Sequence, residues 1–236
     1  MEQFSFVAWL VDRFGLPPSW AGPYLHICMS VVVLLLIAAC GAMVIKRLRH
    51  PDLYLIPEGR PTLINMIEII IGALLGIMRD VIGPDARRHL PIVGAVFIYI
   101  LVSNLIGVVP GFACPTENMN TNLACALVVF LYYNYAGIRA HGLRGYVKEM
   151  AGPIIWLAPL MFAIELISQL VRPLSLSVRL FGNMFGDHMV LGMFSQLVPV
   201  VVPVLFMVLT IFIAFIQAFV FTLLTIVYIA LATRTR

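Results

Sequence analysis

A short polar segment interrupts a strongly apolar part of the chain. Between Val178 and His188 the sequence reads VRLFGNMFGDH and contains Arg179, Asn183, Asp187 and His188. Carboxylate and histidine side chains take up and release protons, and histidine does so near neutral pH. An arginine keeps its positive charge and favours the ionised form of a carboxylate beside it. These residue types predict proton transfer in this segment. They also predict that the permanent positive charge of the arginine acts as an electrostatic barrier to protons.

Most polar side chains of this region share one helical face. At about 100° per residue, six polar or small residues fall within about 40° of Arg179. These residues, which with Arg179 we call the polar stripe, are Glu165, Ser168, Arg172, Ser175, Asn183 and Gly186. Gly182 lies about 60° from Arg179 and forms a GxxxG pattern with Gly186, which lets another helix approach closely. The polar stripe is therefore expected to face a close-packed partner.

The two arginines of the polar stripe have different expected roles. Arg172 either forms a structural ion pair with Glu165 near one membrane surface or belongs to the functional face. Arg179 lies two turns further along the helix and has no acid close to it on its own face. A charge at membrane depth costs from about 2.5 to more than 10 kcal/mol. Arg179 is therefore expected to meet a partner on another subunit or a water-filled cavity.

Three polar residues lie off the polar stripe. Gln217 stands in the uncharged run IQAFVFTLLTIVYIALA. It is an ordinary interhelical hydrogen-bond partner, or it faces Arg179 across a helical hairpin, and these two roles are compatible. Asp187 and His188 point about 80° and 180° away from Arg179. They either line a separate water path from the outside or mark the membrane interface.

The composition identifies a polytopic membrane protein. Of the 236 residues, 62% are hydrophobic and 11% charged, and the mean hydropathy is +1.03; a soluble core of this size cannot bury so much apolar surface. The runs are continuous rather than alternating, which disfavours a β-barrel. The N-terminal segment is not expected to be a cleaved signal peptide. The cysteines lack metal-ligand spacing, no GxxxxGK[ST] motif occurs, and a net charge of +4 does not suggest nucleic acid. No cofactor or metal is expected.

The apolar runs predict an all-α fold with five membrane crossings plus one interfacial amphipathic helix, ending in a long tilted two-helix hairpin. We expect one membrane domain over residues 1–236. Its parts are an external N-terminal segment (1–24), a first spanning helix (25–45), the interfacial helix (62–82), a helical hairpin (90–138) and the long hairpin (154–232). A helix over 154–197 would be about 65 Å long, twice the hydrocarbon thickness, and must tilt, bend at Pro173 or extend into an interface.

The interfacial helix has its own polar and small face. Its members, within about 80° of one another, are Asn65, Glu68, Gly72, Gly76 and Arg79. Both flanks of this segment are basic, so a crossing would place one basic flank outside. We therefore expect a helix that lies in the interface. An ordinary span with a packing seam through GALLG is the alternative.

Basic residues set the expected orientation. The flank KRLRH after the first span and the segment IRAHGLRGYVKEM are basic, whereas the loop CPTENMNTN contains no Lys or Arg. Because cytoplasmic loops are enriched in Lys and Arg, we expect the N-terminus outside and the C-terminus inside.

Specific motifs resemble subunit a of F-type ATP synthase. The run RPLSLSVRLFGNMFGDH is followed 38 residues after Arg179 by Gln217, and GYVKEM, PTENMNTNL and SNLIGVVPG also match. The resemblance extends from about Leu90 to the C-terminus and more loosely through the first helix. It implies a non-catalytic stator in a bacterial inner membrane, beside a ring of c subunits that each carry one buried carboxylate. It also implies b-type peripheral stalk subunits as partners, within the whole ATP synthase complex.

The resemblance also implies roles for individual residues. Two offset half-channels would deliver protons to and from the ring, and Arg179 would separate them and keep each passing carboxylate ionised. Gln217 matches the residue near that arginine. Asn183, His188 and the loop acid Glu117 match residues of the external half-channel. The residues that match the cytoplasmic side are Glu165, Ser168 and Ser175.

This chain departs from the family pattern at two positions. His188 stands where bacterial members usually carry Glu, and Thr210 stands where His or Glu is usual. We hypothesise that Asp187 or Glu117 supplies the missing carboxylate. The alternative function, a self-contained ion-coupled secondary transporter, would call for an internal repeat with broken helices in both halves, and no repeat is visible.

Overall fold

The computed structural model describes residues 21–48, 63–109, 112, 114–151, 157–194 and 201–233. Within these ranges the chain forms six α-helices and one short 3-10 helix. The helices are α1 (Ala21–Leu48), α2 (Leu63–Ile82), α3 (Ala86–Ile106), α4 (Met119–Ala151), α5 (Ala158–Phe194) and α6 (Val201–Thr233), and the 3-10 helix is Pro115–Glu117.

Five of these helices are long and apolar enough to cross a membrane. They are α1, α3, α4, α5 and α6. Helix α2 is not among them, in agreement with its expected interfacial position. The structure thus confirms the predicted class, an all-α polytopic membrane protein. Several parts of the sequence prediction lie outside the described residues: positions 1–20 of the external segment, Arg49 and His50 of the first basic flank, the turn near Pro199, and the C-terminal RTR.

Helix α2 turns one apolar edge to the bundle and its polar face away from it. Leu74 and Met78 are buried, whereas Glu68 and Arg79 are exposed. A sharp turn then leads into α3. Gly83 has a φ of +94° there, a conformation that costs glycine little and other residues more. Its position directly after the last helical residue is the usual one for a helix-ending glycine.

Helix α4 consists of two helical segments joined by a kink. Gly142, with φ +72° and ψ 160°, interrupts it, and the chain continues helically to Ala151, past the residue 138 at which the predicted hairpin ended. After the kink, Tyr146 packs back on the first segment. A Cβ atom on Gly137 would lie 2.7 Å from the Tyr146 ring and 3.0 Å from the Ala232 carbonyl oxygen. Only a glycine at position 137 accommodates both neighbours without displacement.

Helix α6 lies at the centre of the bundle and packs against α2, α3, α4 and α5. Its inner face carries small and apolar buried residues, including Ala214, Ala218 and Phe221. Thr222 and Thr225 are buried on the same helix, and their hydroxyl groups donate to the carbonyl oxygens four residues earlier. These local bonds satisfy the hydroxyl donors inside an apolar core.

Helix α5 is the longest element. Its 37 residues correspond to about 55 Å, well beyond the hydrocarbon thickness of about 30 Å. Pro173 stands inside it without ending it. Near the far end of the α5–α6 hairpin, the Phe194 and Phe206 rings stack with their centroids 5.8 Å apart. A helix of this length must tilt or extend beyond the hydrocarbon layer, as expected from the sequence.

Candidate functional site

Arg179 lies in the middle of α5 on the face that points away from the bundle. Its side chain is exposed, and it forms no hydrogen bond or ion pair with any residue that the structure describes. Its neighbours Leu176 and Leu180 are buried against the other helices. The apolar face of α5 therefore anchors this helix, and the guanidinium group projects outward.

The polar stripe around Arg179 is open. Ser175 and Asn183 are exposed on the same face. A Cβ atom added to Gly182 or Gly186 would meet nothing within 4 Å. Glycines in a GxxxG pattern allow a second helix to approach closely, and nothing in the described part of the chain occupies that space.

The other arginine of the polar stripe has partners within the chain. Arg172 Nη2 lies 3.3 Å from Glu165 Oε1, and the Arg172 guanidinium stands over the Tyr228 ring at 5.4 Å from its centroid. Ser168 is partly buried between them along the helix. The geometry supports a structural ion pair for Arg172 and separates it from the unpaired Arg179.

The 3-10 helix brings Glu117 against α5. Its Oε2 lies 2.9 Å from Nδ1 of His188, which is 71 residues away in sequence. The two side chains are 37% and 22% exposed, respectively. Asp187 is buried beside them, and its Oδ2 has no hydrogen-bond partner among the described residues. Of the two acids proposed from the sequence, Glu117 is the one that contacts His188.

A buried polar cluster holds the 3-10 helix in place. Thr116 Oγ1 donates to Asn104 Oδ1 at 2.6 Å, and Asn122 Nδ2 donates to the Thr116 carbonyl oxygen at 2.7 Å. Asn104 Nδ2 reaches the Ala214 carbonyl oxygen on α6 at 3.4 Å. These three side chains are fully buried, so the position of Glu117 depends on bonds from α3, α4 and α6. No role for these three residues was predicted from the sequence, although two amide side chains in apolar helices were a visible signal.

Cys114 closes the same cluster. Its thiol donates to the Ser103 carbonyl oxygen at 3.3 Å, and a Cβ atom on Gly107 would lie 2.6 Å from its Cβ. Burial raises the pKa of the Cys114 thiol, so the side chain acts here as a small neutral group. Among the described residues, no three potential ligands group to hold a metal ion.

Gln217 and Thr210 lie on the buried side of α6. Gln217 is 7% exposed, and within the described part of the chain no hydrogen bond joins it to Arg179. That Gln217 faces Arg179 in the assembled state stays a prediction. The Thr210 hydroxyl donates to the Phe206 carbonyl oxygen of its own helix at 2.8 Å, so its hydrogen is engaged locally.

A second buried network fixes the opposite end of α5. Tyr133 donates to Gln169 Oε1 at 2.8 Å, and Gln169 Nε2 donates to the Tyr146 hydroxyl oxygen at 3.2 Å. Tyr146 in turn donates to Asn134 Oδ1 at 2.8 Å. The network joins both segments of α4 to α5. Gln169 was not predicted from the sequence because it lies off the polar stripe.

Comparisons with known proteins agree with this architecture. The family described as ATP synthase A chain matches residues 26–230. ATP synthase subunit a 1 of Syntrophotalea carbinolica is 42% identical over 232 residues, which cover 96% of this chain and 95% of that protein. ATP synthase subunit a 3 of Pelobacter propionicus is 48% identical over 165 residues, or 70% of this chain and 72% of that protein. ATP synthase subunit a of Geobacter sulfurreducens is 39% identical over 225 residues, which cover 95% of this chain and 93% of that protein. Because these matches cover most of its length, the chain belongs to the ATP synthase A chain family.

Proposed function

We propose that this chain is the proton-translocating stator subunit of a bacterial ATP synthase, with Arg179 as the charge that couples proton flow to rotation. One observation carries the proposal: a permanent cation stands on an outward face of α5 without any counter-charge in the described part of the chain. Such a charge at membrane depth is costly unless a partner or water meets it. A carboxylate on a neighbouring subunit satisfies that requirement.

The partner is a ring of c subunits, each with one buried carboxylate. The open polar stripe gives a helix of that ring room to approach, because Gly182 and Gly186 have no neighbours there. Arg179 stabilises the ionised form of each carboxylate that passes it. Protons therefore cannot cross directly between the two half-channels and must travel around with the ring.

The external half-channel includes Glu117, His188, Asp187 and Asn183. The Glu117–His188 contact places a carboxylate and an imidazole at hydrogen-bond distance, which suits a proton relay. On the cytoplasmic side, Ser175, Ser168 and Glu165 line the way out. Gln217 stands near Arg179 from α6 when the ring is in place.

The chain itself carries out no covalent chemistry; ATP is made by other subunits of the complex. Subunits of the b-type peripheral stalk hold it against the ring, and its five spans lie in the bacterial inner membrane. The basic segments after α1 and within α4 face the cytoplasm, so the N-terminus is outside and the C-terminus inside. Membership of the ATP synthase A chain family argues against the alternative, a self-contained secondary transporter.

A crosslinking experiment tests the proposed partner face. A photoreactive benzoylphenylalanine in place of Asn183, which is exposed on the polar stripe, is expected to form an adduct with the small ring subunit in the assembled complex. The same residue in place of Leu35, which is 64% exposed on α1, serves as the matched control and should give no such adduct. The adduct mass identifies the partner. Ring adducts from position 35 but not from 183 would contradict the proposed face.

Asp187→Asn tests the external half-channel. The buried carboxylate lies next in sequence to His188 and has one unpartnered oxygen in the described structure, so we expect it to contribute negative charge to the relay. The variant should reduce the rate of proton-driven ATP synthesis several-fold at unchanged assembly, because the amide keeps the size of the side chain but cannot take up a proton. The rate is measured in inverted membrane vesicles. If the fully assembled Asp187→Asn complex made ATP at the parental rate, Asp187 would not belong to the external half-channel.

A further inference from the structure

A polar cavity of about 370 Å³ lies between α3, α4 and the end of α6. Its polar lining consists of Asp85, Arg88, His89, Tyr132, Tyr135 and Arg139, together with Thr233 at the end of α6. Helix α5 contributes no lining residue, so this cavity is separate from the polar stripe and from the Glu117–His188 pair.

The cavity presents more positive than negative charge. Arg88 and Arg139 are both exposed, and neither forms an ion pair with an acid in the described part of the chain. Among the residues that the structure describes, Asp85 is the one carboxylate that lines the cavity. The two positive guanidinium groups and the one negative carboxylate leave the described lining with a net positive charge, which favours the binding of an anion.

Hydrogen-bond donors converge on the same space. Arg139 Nη1 donates to the Tyr135 hydroxyl oxygen at 3.3 Å, which leaves the Tyr135 hydrogen available for another acceptor. His89 Nδ1 and the Tyr132 hydroxyl group lie 3.0 Å apart, with the two rings in a T-shaped arrangement. Planar guanidinium groups pair with two oxygens at once, a geometry that matches phosphate.

The depth of the cavity matches that of lipid headgroups. Three of the five candidate spans line the cavity, namely Ala86–Ile106, Met119–Leu143 and Pro203–Thr233. Arg88 lies at the beginning of the first, Arg139 near the end of the second, and Thr233 at the end of the third. The cavity thus opens where three apolar spans end, the level at which phosphate groups of a bilayer are found.

We propose that this cavity binds the phosphate group of an anionic phospholipid. Basic cavities between membrane-spanning helices recognise such headgroups, and two arginines, two tyrosines and a histidine supply the donors. Interfacial tyrosines and solvated arginines are common without any bound ligand. Here the cavity shape and the absence of a carboxylate on either arginine, within the described residues, point to a specific anion.

Photolabelling of the complete ATP synthase complex in vesicles tests the proposal. The vesicles contain phosphatidylcholine and a low fraction of photoactivatable phosphatidylglycerol. We expect adducts on peptides that contain positions 85–89 and 132–139. Since one arginine near a membrane surface changes anionic-lipid binding on the order of five-fold, the double variant Arg88→Gln/Arg139→Gln should lower the adduct yield about 30-fold. Arg87→Gln is the matched control, because Arg87 is exposed and does not line the cavity; it removes only general attraction to the membrane surface, so its yield should fall by no more than about five-fold.

Two measurements on the parental complex keep the test decisive if the double variant does not assemble. A photoactivatable phosphatidylcholine of the same chain length should label the cavity peptides weakly, and equal labelling would overturn the proposal. Inorganic phosphate in excess should not reduce the labelling by photoactivatable phosphatidylglycerol, whereas unlabelled phosphatidylglycerol should reduce it. Full competition by inorganic phosphate would assign the cavity to a soluble anion instead, and an undiminished yield in an assembled double variant would overturn the assignment to Arg88 and Arg139.

Discussion

Arg179→Ala is expected to abolish proton-driven ATP synthesis, with a loss of at least about 100-fold, while the complex still assembles. The reason is electrostatic. In the proposed mechanism, a ring carboxylate that passes position 179 would no longer be held ionised without the permanent cation, and protons could pass between the two half-channels without turning the ring. Assembly should survive because Arg179 is exposed and forms no hydrogen bond or ion pair in the described part of this chain.

Inverted membrane vesicles provide both readouts, the rate of respiration-driven ATP synthesis and the passive proton permeability. The amount of each subunit in the purified complex reports assembly. Arg87→Ala is a matched control, since this arginine is also exposed but lies on α3, off the polar stripe. Coupled synthesis near the parental rate in Arg179→Ala would contradict the role proposed for the charge.

Glu117→Gln is expected to lower proton-driven synthesis by about ten-fold. A positioned acid or base contributes on the order of 10² to 10⁴ to a proton transfer, and a smaller overall loss follows if this transfer only partly limits rotation. The glutamine can still form a hydrogen bond to His188 Nδ1, which lies 2.9 Å from Glu117 Oε2, but it cannot carry a proton. The 3-10 helix should keep its position, because Thr116, Asn104 and Asn122 hold it.

Two further variants separate proton transfer from structure. Glu117→Asp keeps the carboxylate and should retain more activity than Glu117→Gln. Glu68→Gln removes an exposed carboxylate on α2 and should have no effect. Synthesis rates are compared at several imposed pH gradients and normalised to assembled complex. If the synthesis rates of Glu117→Asp and Glu117→Gln were reduced equally, the Glu117 side chain would be acting through its shape rather than through proton transfer.

Much of the helical framework was predictable, because it depends on local apolar length and periodicity. The five candidate spans follow from runs of apolar residues. The interfacial position expected for α2 came from the basic residues on both of its flanks, and α2 is not among the candidate spans. The Glu165–Arg172 pair was also one of the alternatives, since residues seven apart share a helical face. The buried residues Leu176 and Leu180 lie only about 60° and about 100° from Arg179 on the helical wheel, so the polar stripe flanks the buried face and its outward direction required the tertiary fold.

The kinked end of α4 was not predictable in the same way. Glycines and charges in HGLRGYVKEM are typical of a loop, yet the segment continues helically after Gly142. Its conformation depends on Tyr146, which packs against Gly137 and bonds to Asn134 and Gln169. These contacts join parts of the chain that no local pattern connects.

The choice between Asp187 and Glu117 as partner of His188 also needed the tertiary fold. Periodicity relates residues on one helix, whereas Glu117 reaches His188 across 71 positions by way of the 3-10 helix. The position of that short element is fixed by a threonine and two asparagines buried among four helical elements. Sequence spacing contains no information on such a contact.

The two buried networks have a mechanical consequence for α5. One network holds it at Gln169 and the Glu117 contact holds it at His188; these positions lie about 15 Å and about 14 Å along the helix from Arg179 on either side. Polar contacts thus hold helix α5 on both sides of Arg179, in addition to the buried Leu176 and Leu180 next to it. In the proposed rotor–stator pair, these contacts would keep the charged side chain in position against a turning ring. Loosening either contact would let the helix move under load, so proton slip in such a variant should grow with the driving force rather than appear at rest.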